Sequence, residues 1–247
     1  MKNKILNIIE IVLIVILVTN LYKIYSYNKA DDEFKTVTKE VQEKFEKVEV
    51  AKSNSKIEKK KEKDREAREK IEEVKKSYPS IIGWLKVGGT EIDYPIVKGS
   101  DNEFYLNHNY KDDYNVFGAI FMDYRNKEDF SDENTIIYGH NNVRAGNFKD
   151  LHKYEAEGFF KEDRFIEVYS LSGYKKYKVF AVYNAGAYDK FRSPSYSEED
   201  GKKLISYIKE RNILKTEVPR EIKDILTLQT CSPKDTRFVV QGKLVED

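Results

Sequence analysis

The chain of 247 residues is 40% hydrophobic and 35% charged, and its 44 Lys and Arg nearly cancel its 43 Asp and Glu, leaving a formal net charge of +1. That balance creates no overall field to gather a polyanion, which excludes nucleic acid as the expected partner. A single cysteine rules out an intrachain disulfide and any multi-cysteine metal site, and the length suits one catalytic domain with accessory segments.

In chain order, residues 1–27 come first. Lys2 and Lys4 precede an apolar run from Ile5 to Tyr22, interrupted by Asn7, Glu10 and Asn20. The run approaches the ~20 residues that cross a hydrocarbon core, and Glu10 lies near enough to one end to reach toward headgroups. No small-x-small cleavage pattern follows at positions 23–27, so an uncleaved signal-anchor is preferred to a removed signal peptide. Lysines flank both ends, at 2 and 4 and again at 23 and 29, so charge alone does not orient the segment.

Residues 28–77 contain no proline and are dense in Lys, Glu, Asp and Arg. Phe34, Val37, Val41, Phe45 and Val48 recur at spacings of three and four, the stripe of an amphipathic helix, whereas 56–70 is nearly all charged. This predicts a charged helical stalk. It is read as a solvated spacer holding the domain off the membrane, with pairing to a partner helix as the alternative.

From 78 to 247 the texture changes to short β-like runs at 81–87, 92–97, 119–122, 135–138, 165–169, 175–183, 225–229 and 238–244, separated by turn-rich stretches. The fold expected is mainly β, an eight-stranded closed or nearly closed barrel. Two helical inserts interrupt it, at 147–157 and at 197–211, where Leu204, Ile205 and Ile208 form a stripe. No phosphate-cradling glycine loop and no metal-ligand spacing occurs, so no cofactor is expected.

Alternation along 225–231 puts Leu226, Leu228 and Thr230 on one face and Ile225, Thr227, Gln229 and Cys231 on the other. The connector 232–235 is turn chemistry, and the next strand carries Phe238 and Val240 on one face with Arg237, Val239 and Gln241 on the other. Such a hairpin sets Cys231 and Arg237 near one another. A cationic neighbour favours thiolate over thiol, and a guanidinium suits charge developing on a carbonyl oxygen. A buried inert cysteine and an exposed strand-end arginine are the competing readings.

A nucleophilic cysteine needs a histidine near in space. His140 ends a buried-strand pattern, Thr-Ile-Ile-Tyr-Gly-His-Asn at 135–141, and is preferred to His108 and His152, which read as solvated or capping histidines.

Thr-Leu-Gln-Thr-Cys at 227–231, the arginine at 237 and Tyr-Gly-His-Asn at 138–141 together resemble the signature of the sortase family. The resemblance covers about 78–245. Gly-Ala-Ile-Phe-Met-Asp-Tyr-Arg-Asn at 118–126 and the two helical inserts make it look like class B. Only five residues separate Cys231 from Arg237, fewer than that class leads one to expect.

The resemblance implies a sortase-type barrel at 78–247. Cys231 would attack a threonine carbonyl in a C-terminal sorting motif of a secreted protein, of Asn-Pro-x-Thr or Ser-Pro-x-Thr type. Arg237 would hold the oxyanion and His140 would move the proton. It further implies an acceptor amine from peptidoglycan or its lipid-linked precursor, and substrate contacts at Asn102, Leu106, Tyr138, Gln229 and Thr230. The N-terminus would be cytoplasmic and the domain extracellular, on a Gram-positive bacterium. Rival readings are a pilus-polymerising sortase of another class, a cysteine protease, and a non-catalytic envelope docking protein.

Overall fold

The computed structural model describes residues 2–48, 56–142, 146–156, 158–160, 164–186, 189, 192–231 and 236–245. Nine strands form one sheet: β1 (Ile81–Val87), β2 (Asp93–Lys98), β3 (Phe121–Met122), β4 (Asn134–Asn142), β5 (Gly146–Asn147), β6 (Phe165–Ser170), β7 (Gly173–Gly186), β8 (Ile225–Cys231) and β9 (Thr236–Leu244). Their order is β3-β2-β1-β6-β7-β9-β8-β4-β5, and β3 also pairs with β4. That last pairing closes eight strands into a barrel, with β5 appended to the rim, and closure removes the unpaired edges of an open sheet. Two of the pairings, β2 with β3 and β4 with β8, are parallel.

Alternation explains the strand faces. Leu226 and Leu228 point into a core with Ile137, Val168, Val182, Phe238 and Val240, while Ile225 and Val239 face outward and pack under α3 (Glu198–Arg211) with Leu204, Ile205 and Ile208. Ser197 caps α3, its hydroxyl accepting from Asp200 N at 3.1 Å, and Glu198, Glu199 and Asp200 in the first turn oppose the positive helix end. The insert expected at 147–157 is a shorter 3₁₀ turn, Lys149–Glu155, and β3 spans two residues rather than four.

The N-terminal segments depart most from expectation. A single helix, α1 (Lys2–Glu46), joins the apolar run to the first half of the charged segment, and α2 (Lys56–Lys75) follows. The part of α1 from Ile5 to Ile24 presents exposed apolar side chains and is long and apolar enough to cross a membrane.

Beyond it the segment is not a solvated spacer. Phe34, Val37, Val41 and Phe45 of α1 are buried with Ile71 and Val74 of α2 against Trp84, Tyr110 and Phe117 of the barrel. Phe45 stacks on Trp84 with ring centroids 4.1 Å apart. The physical reason is the stripe itself: an apolar line spaced at three and four residues must be covered, and the outer face of β1 offers Ile81 and Trp84 to cover it. Val48, the stripe's last expected member, is only half-buried.

The helices are therefore part of the fold. Phe45→Ala in a chain beginning at Asn28 is expected to lose about 3–5 kcal/mol in denaturant unfolding, the range for emptying a buried aromatic site. A chain beginning at Tyr78 is expected to melt lower and to bind a hydrophobic dye, because Trp84, Tyr110 and Phe117 lose their cover.

Candidate active site

The parallel pairing of β4 with β8 runs from Asn134 opposite Ile225 to His140 opposite Cys231. β9 returns antiparallel, with Gln229 opposite Val239, and the same register carried two residues further sets Arg237 level with Cys231. Three adjacent strands thus bring the backbones of His140, Cys231 and Arg237 into one row at an end of the barrel. The side chain of Cys231 and the connector at 232–235 lie outside the described residues. Arg237 is half-buried and donates from Nη1 to Thr236 O at 3.3 Å.

His140 is held from the other side. Its Nε2 lies 2.6 Å from the carbonyl oxygen of Leu106, the last residue of the 3₁₀ turn Phe104–Leu106. A carbonyl only accepts, so Nε2 carries hydrogen, and Nδ1 is the nitrogen that can gain and lose a proton. Gly118 makes this approach possible: it adopts φ +59°, and a Cβ there would stand 2.5 Å from Tyr105 O, 2.7 Å from Leu106 O and 3.0 Å from His140 Cδ2.

The other candidate residues divide. Tyr138 pairs with Gln229 two residues below the row. Both are buried, and Gln229 Oε1 has no hydrogen-bond partner among the described residues. Thr230 is buried as well, its hydroxyl accepting from Phe238 N at 3.0 Å, so it braces the hairpin beside Cys231. Leu106 contributes its carbonyl. Asn102 is half-buried and ties two segments, donating to Asp123 Oδ2 at 3.1 Å and accepting from Tyr124 N at 3.0 Å.

Asp123, which sequence reasoning did not single out, is the hub beneath these residues. It accepts from Tyr138 Oη at 2.7 Å, from Asn102, and from Arg125 Nε and Nη2 at 2.8 and 2.7 Å. Burial alone pushes its carboxyl up, but the Arg125 fork, the Arg125 N–H and the Tyr138 hydroxyl outweigh that and hold it below the usual range. Burial likewise pushes the Tyr138 phenol well up, with the Asp123 charge adding to it, so Tyr138 stays a donor. The signal was available as the Asp-Tyr-Arg-Asn run at 123–126, but only the fold shows that it lies under β4.

His108 stacks on Phe104, centroids 3.8 Å apart, and takes no part in the row. His152 is not simply solvated: it stacks on Phe238, contacts Asn141 Nδ2 at 3.0 Å and pairs with Glu155 at 2.9 Å. Among the described residues no group of three His, Cys, Asp or Glu side chains could hold a metal ion.

A closed eight-stranded barrel with a histidine and a cysteine paired across parallel strands defines a narrow class of protein, and comparison supplies the rest. The sortase domain model matches residues 85–245. Sortase B of Listeria monocytogenes is 38% identical over 187 residues, covering 73% of this chain and 76% of the relative, and sortase B of Staphylococcus aureus is 29% identical over 247 residues, covering 98% and 97%. The solved sortase B of B. anthracis superposes with a TM-score of 0.74 at 29% identity, covering 89% of this chain and 99% of that one. The S. aureus sortase B–substrate complex gives 0.74 at 28% identity, covering 87% and 98%. The chain belongs to the sortase family of cysteine transpeptidases and, within it, to class B.

Asp123→Asn removes the hub's charge and leaves the Arg125 fork unmatched. Because the folded carboxyl titrates below its unfolded value of 3.8, its stabilisation is fully present at neutral pH and is lost as pH falls through the folded value. The difference in unfolding free energy between the parent and Asp123→Asn is expected at about 1–3 kcal/mol at pH 7, and to shrink steadily below about pH 4, as measured by denaturant titrations across pH.

Proposed function

We propose that the chain cleaves a C-terminal sorting motif of Asn-Pro-x-Thr or Ser-Pro-x-Thr type on secreted proteins and transfers the acyl group to an amine of peptidoglycan or its lipid-linked precursor. The observation that carries this reading is the pairing of His140 with Cys231 across parallel strands, with Arg237 two residues beyond the last β8–β9 pair, Gln229 with Val239. In the likeness to the S. aureus sortase B–substrate complex the same fold is a substrate-binding one.

Cys231 thiolate attacks the threonine carbonyl carbon, and the oxygen takes up negative charge opposite the Arg237 guanidinium. Collapse breaks the peptide C–N bond. The departing amine takes the proton that His140 carries on Nδ1, leaving a thioacyl-enzyme at Cys231 and a neutral imidazole. The incoming amine attacks the thioester, gives its proton back to Nδ1, and releases Cys231 as thiolate. One amide is exchanged for another with no net redox change.

Residues 1–27 anchor the enzyme, with the N-terminus cytoplasmic and the barrel outside a Gram-positive cell. In this account Asn102, Leu106 and Tyr138 set the position of His140 and the adjoining wall, while Gln229 and Thr230 act through the strand behind the thiol.

The test is a quenched sorting-peptide panel, read with and without an added amine, on a chain that keeps residues 28–77. Cys231→Ala is expected to abolish cleavage. His140→Gln should lower kcat by about 10²–10⁴, and Arg237→Lys, which cannot reproduce a bidentate fork, by about 10²–10³. Product formed equally fast without the amine would turn the reading toward a cysteine protease.

A further inference from the structure

The α1 helix is a ruler. It runs unbroken from Lys2 to Glu46 and contains neither glycine nor proline, so nothing in it causes a kink. Its exposed apolar side chains extend from Ile5 to Ile24. At 1.5 Å per residue those positions span about 30 Å, the thickness of the hydrocarbon core, and the headgroup layer adds roughly 5–8 Å beyond. Tyr22 and Tyr25 are exposed beside Lys23, the residue types that settle at a membrane surface.

Contacts along α1 give each part of the barrel a height. Tyr27 meets Phe117 edge to face, centroids 4.9 Å apart, and Ala30 O accepts from Asn115 Nδ2 at 2.8 Å. These lie about 5 and 9 Å along the helix past Ile24. Glu40 pairs with Lys111 at 2.7 Å, and Phe45 stacks on Trp84, about 30 Å past Ile24. Helix tilt shortens the heights of these points on the helix itself. Of these contacts with α1, those of Asn115 and Phe117 therefore lie nearest the apolar run.

Two further observations point the same way. Outside α1, six large apolar side chains are exposed among the described residues, and three of them, Phe104, Tyr114 and Val116, fall in this one stretch. Phe104, His108 and Tyr114 form a ring ladder there, with centroids 3.8 and 6.0 Å apart. Such amphipathic rings suit the headgroup zone. The site hangs from the same stretch, since His140 bonds to Leu106 O and would touch a Cβ on Gly118.

We infer that α1 holds the low end of this stretch, at Phe104, Tyr114 and Val116, and with it the site at His140, against the headgroup layer of the membrane that α1 spans, so that the site meets substrates carried in that layer, while Lys111, paired with Glu40, marks the raised end of the stretch. Only the substrate half of this statement rests on the transpeptidase reading; the placement stands on α1 and the exposed rim. The contact is aromatic: Glu103, Asp112 and Asp113 are exposed in the same stretch, which gives an anionic surface no charge attraction.

The chain contains one tryptophan, Trp84, which serves as an internal reference high on the ruler. The full chain is reconstituted in phosphatidylcholine vesicles whose acyl chains are brominated close to the headgroup. Trp84 emission of the parent is expected to be unchanged by bromination, while the added emission of Tyr114→Trp is largely lost, at low and high salt alike. Inserting seven helix-forming residues after Ser26 raises the barrel by about 10 Å without changing its face. That insertion should restore the Tyr114→Trp emission and abolish transfer to a membrane-borne acceptor, leaving cleavage of a soluble sorting peptide unchanged. Unquenched Tyr114→Trp emission would overturn the placement, and so would quenching of Trp84, which would mean that the domain lies over on the bilayer. Absent peptide cleavage in every form, with the quenching pattern intact, would strike the transpeptidase reading alone.

Discussion

The parallel pairing of β4 with β8 is the constraint from which the site follows. Parallel neighbours need a long crossover, and here the connection from β4 to β8 carries β5, β6, β7 and α3. In return, residues in register on the two strands end together. His140 and Cys231 are 91 positions apart in the chain and adjacent in the sheet, and the β8–β9 register, extended two residues beyond Gln229 and Val239, adds Arg237 to the row. A slip of one residue in either ladder would turn the partner to the other face of its strand. Burial prevents that slip: Leu226, Leu228 and Val240 belong inside the barrel, and Ile225 and Val239 belong under α3.

A second layer fixes the histidine rather than the cysteine. Asp123 draws Tyr138, Asn102 and Arg125 to one carboxylate, and the segment that follows Asn102 ends in the Leu106 carbonyl that orients the imidazole. A buried, fully engaged carboxylate is costly to form and costly to disturb. Its partners come from β4 and from the loops on either side of 104–118, so the ring of His140 is positioned by groups with no chemistry of their own. Preorganisation of this kind is what a proton-transfer residue requires, since distance and orientation precede basicity.

Much of this was legible in the chain because the strands obey period-two alternation and the helix over 198–211 obeys its own stripe. His140 and Cys231 were singled out as strand ends and Arg237 as the far side of a short connector, but that β4 lies parallel and next to β8 was not readable. The hub at Asp123 was not, because an Asp-Tyr-Arg-Asn run carries no periodicity and gains meaning only when β3 folds beside β4. Gln229 and Thr230 were expected beside the thiol from the family resemblance, and strand geometry buries both. The segment 28–77 misled for a different reason. Averaged charge hides a thin apolar line, and Ala67, Ile71 and Val74, at spacings of four and three in a run dominated by Lys and Glu, are enough to seat α2 on the barrel.

That seating changes what the membrane anchor can do. A flexible linker of 50 residues has an end-to-end distance of about 40 Å and lets a tethered domain sample a deep shell above the bilayer. A helix that leaves the apolar run and docks within one turn removes that freedom, and the three contacts spaced along it, at Tyr27, Phe34 and Phe45, fix rotation as well as height. For a reaction that passes an acyl group from one molecule to the amine of another at one thiol, a site held to one layer would raise the effective concentration of substrates confined to that layer without any added contact. The charged surface of α2 faces away from the barrel, and the apolar stripe of α1 at Phe34, Val37, Val41 and Phe45 ties the barrel to a helix whose exposed run from Ile5 to Ile24 is long and apolar enough to cross a membrane.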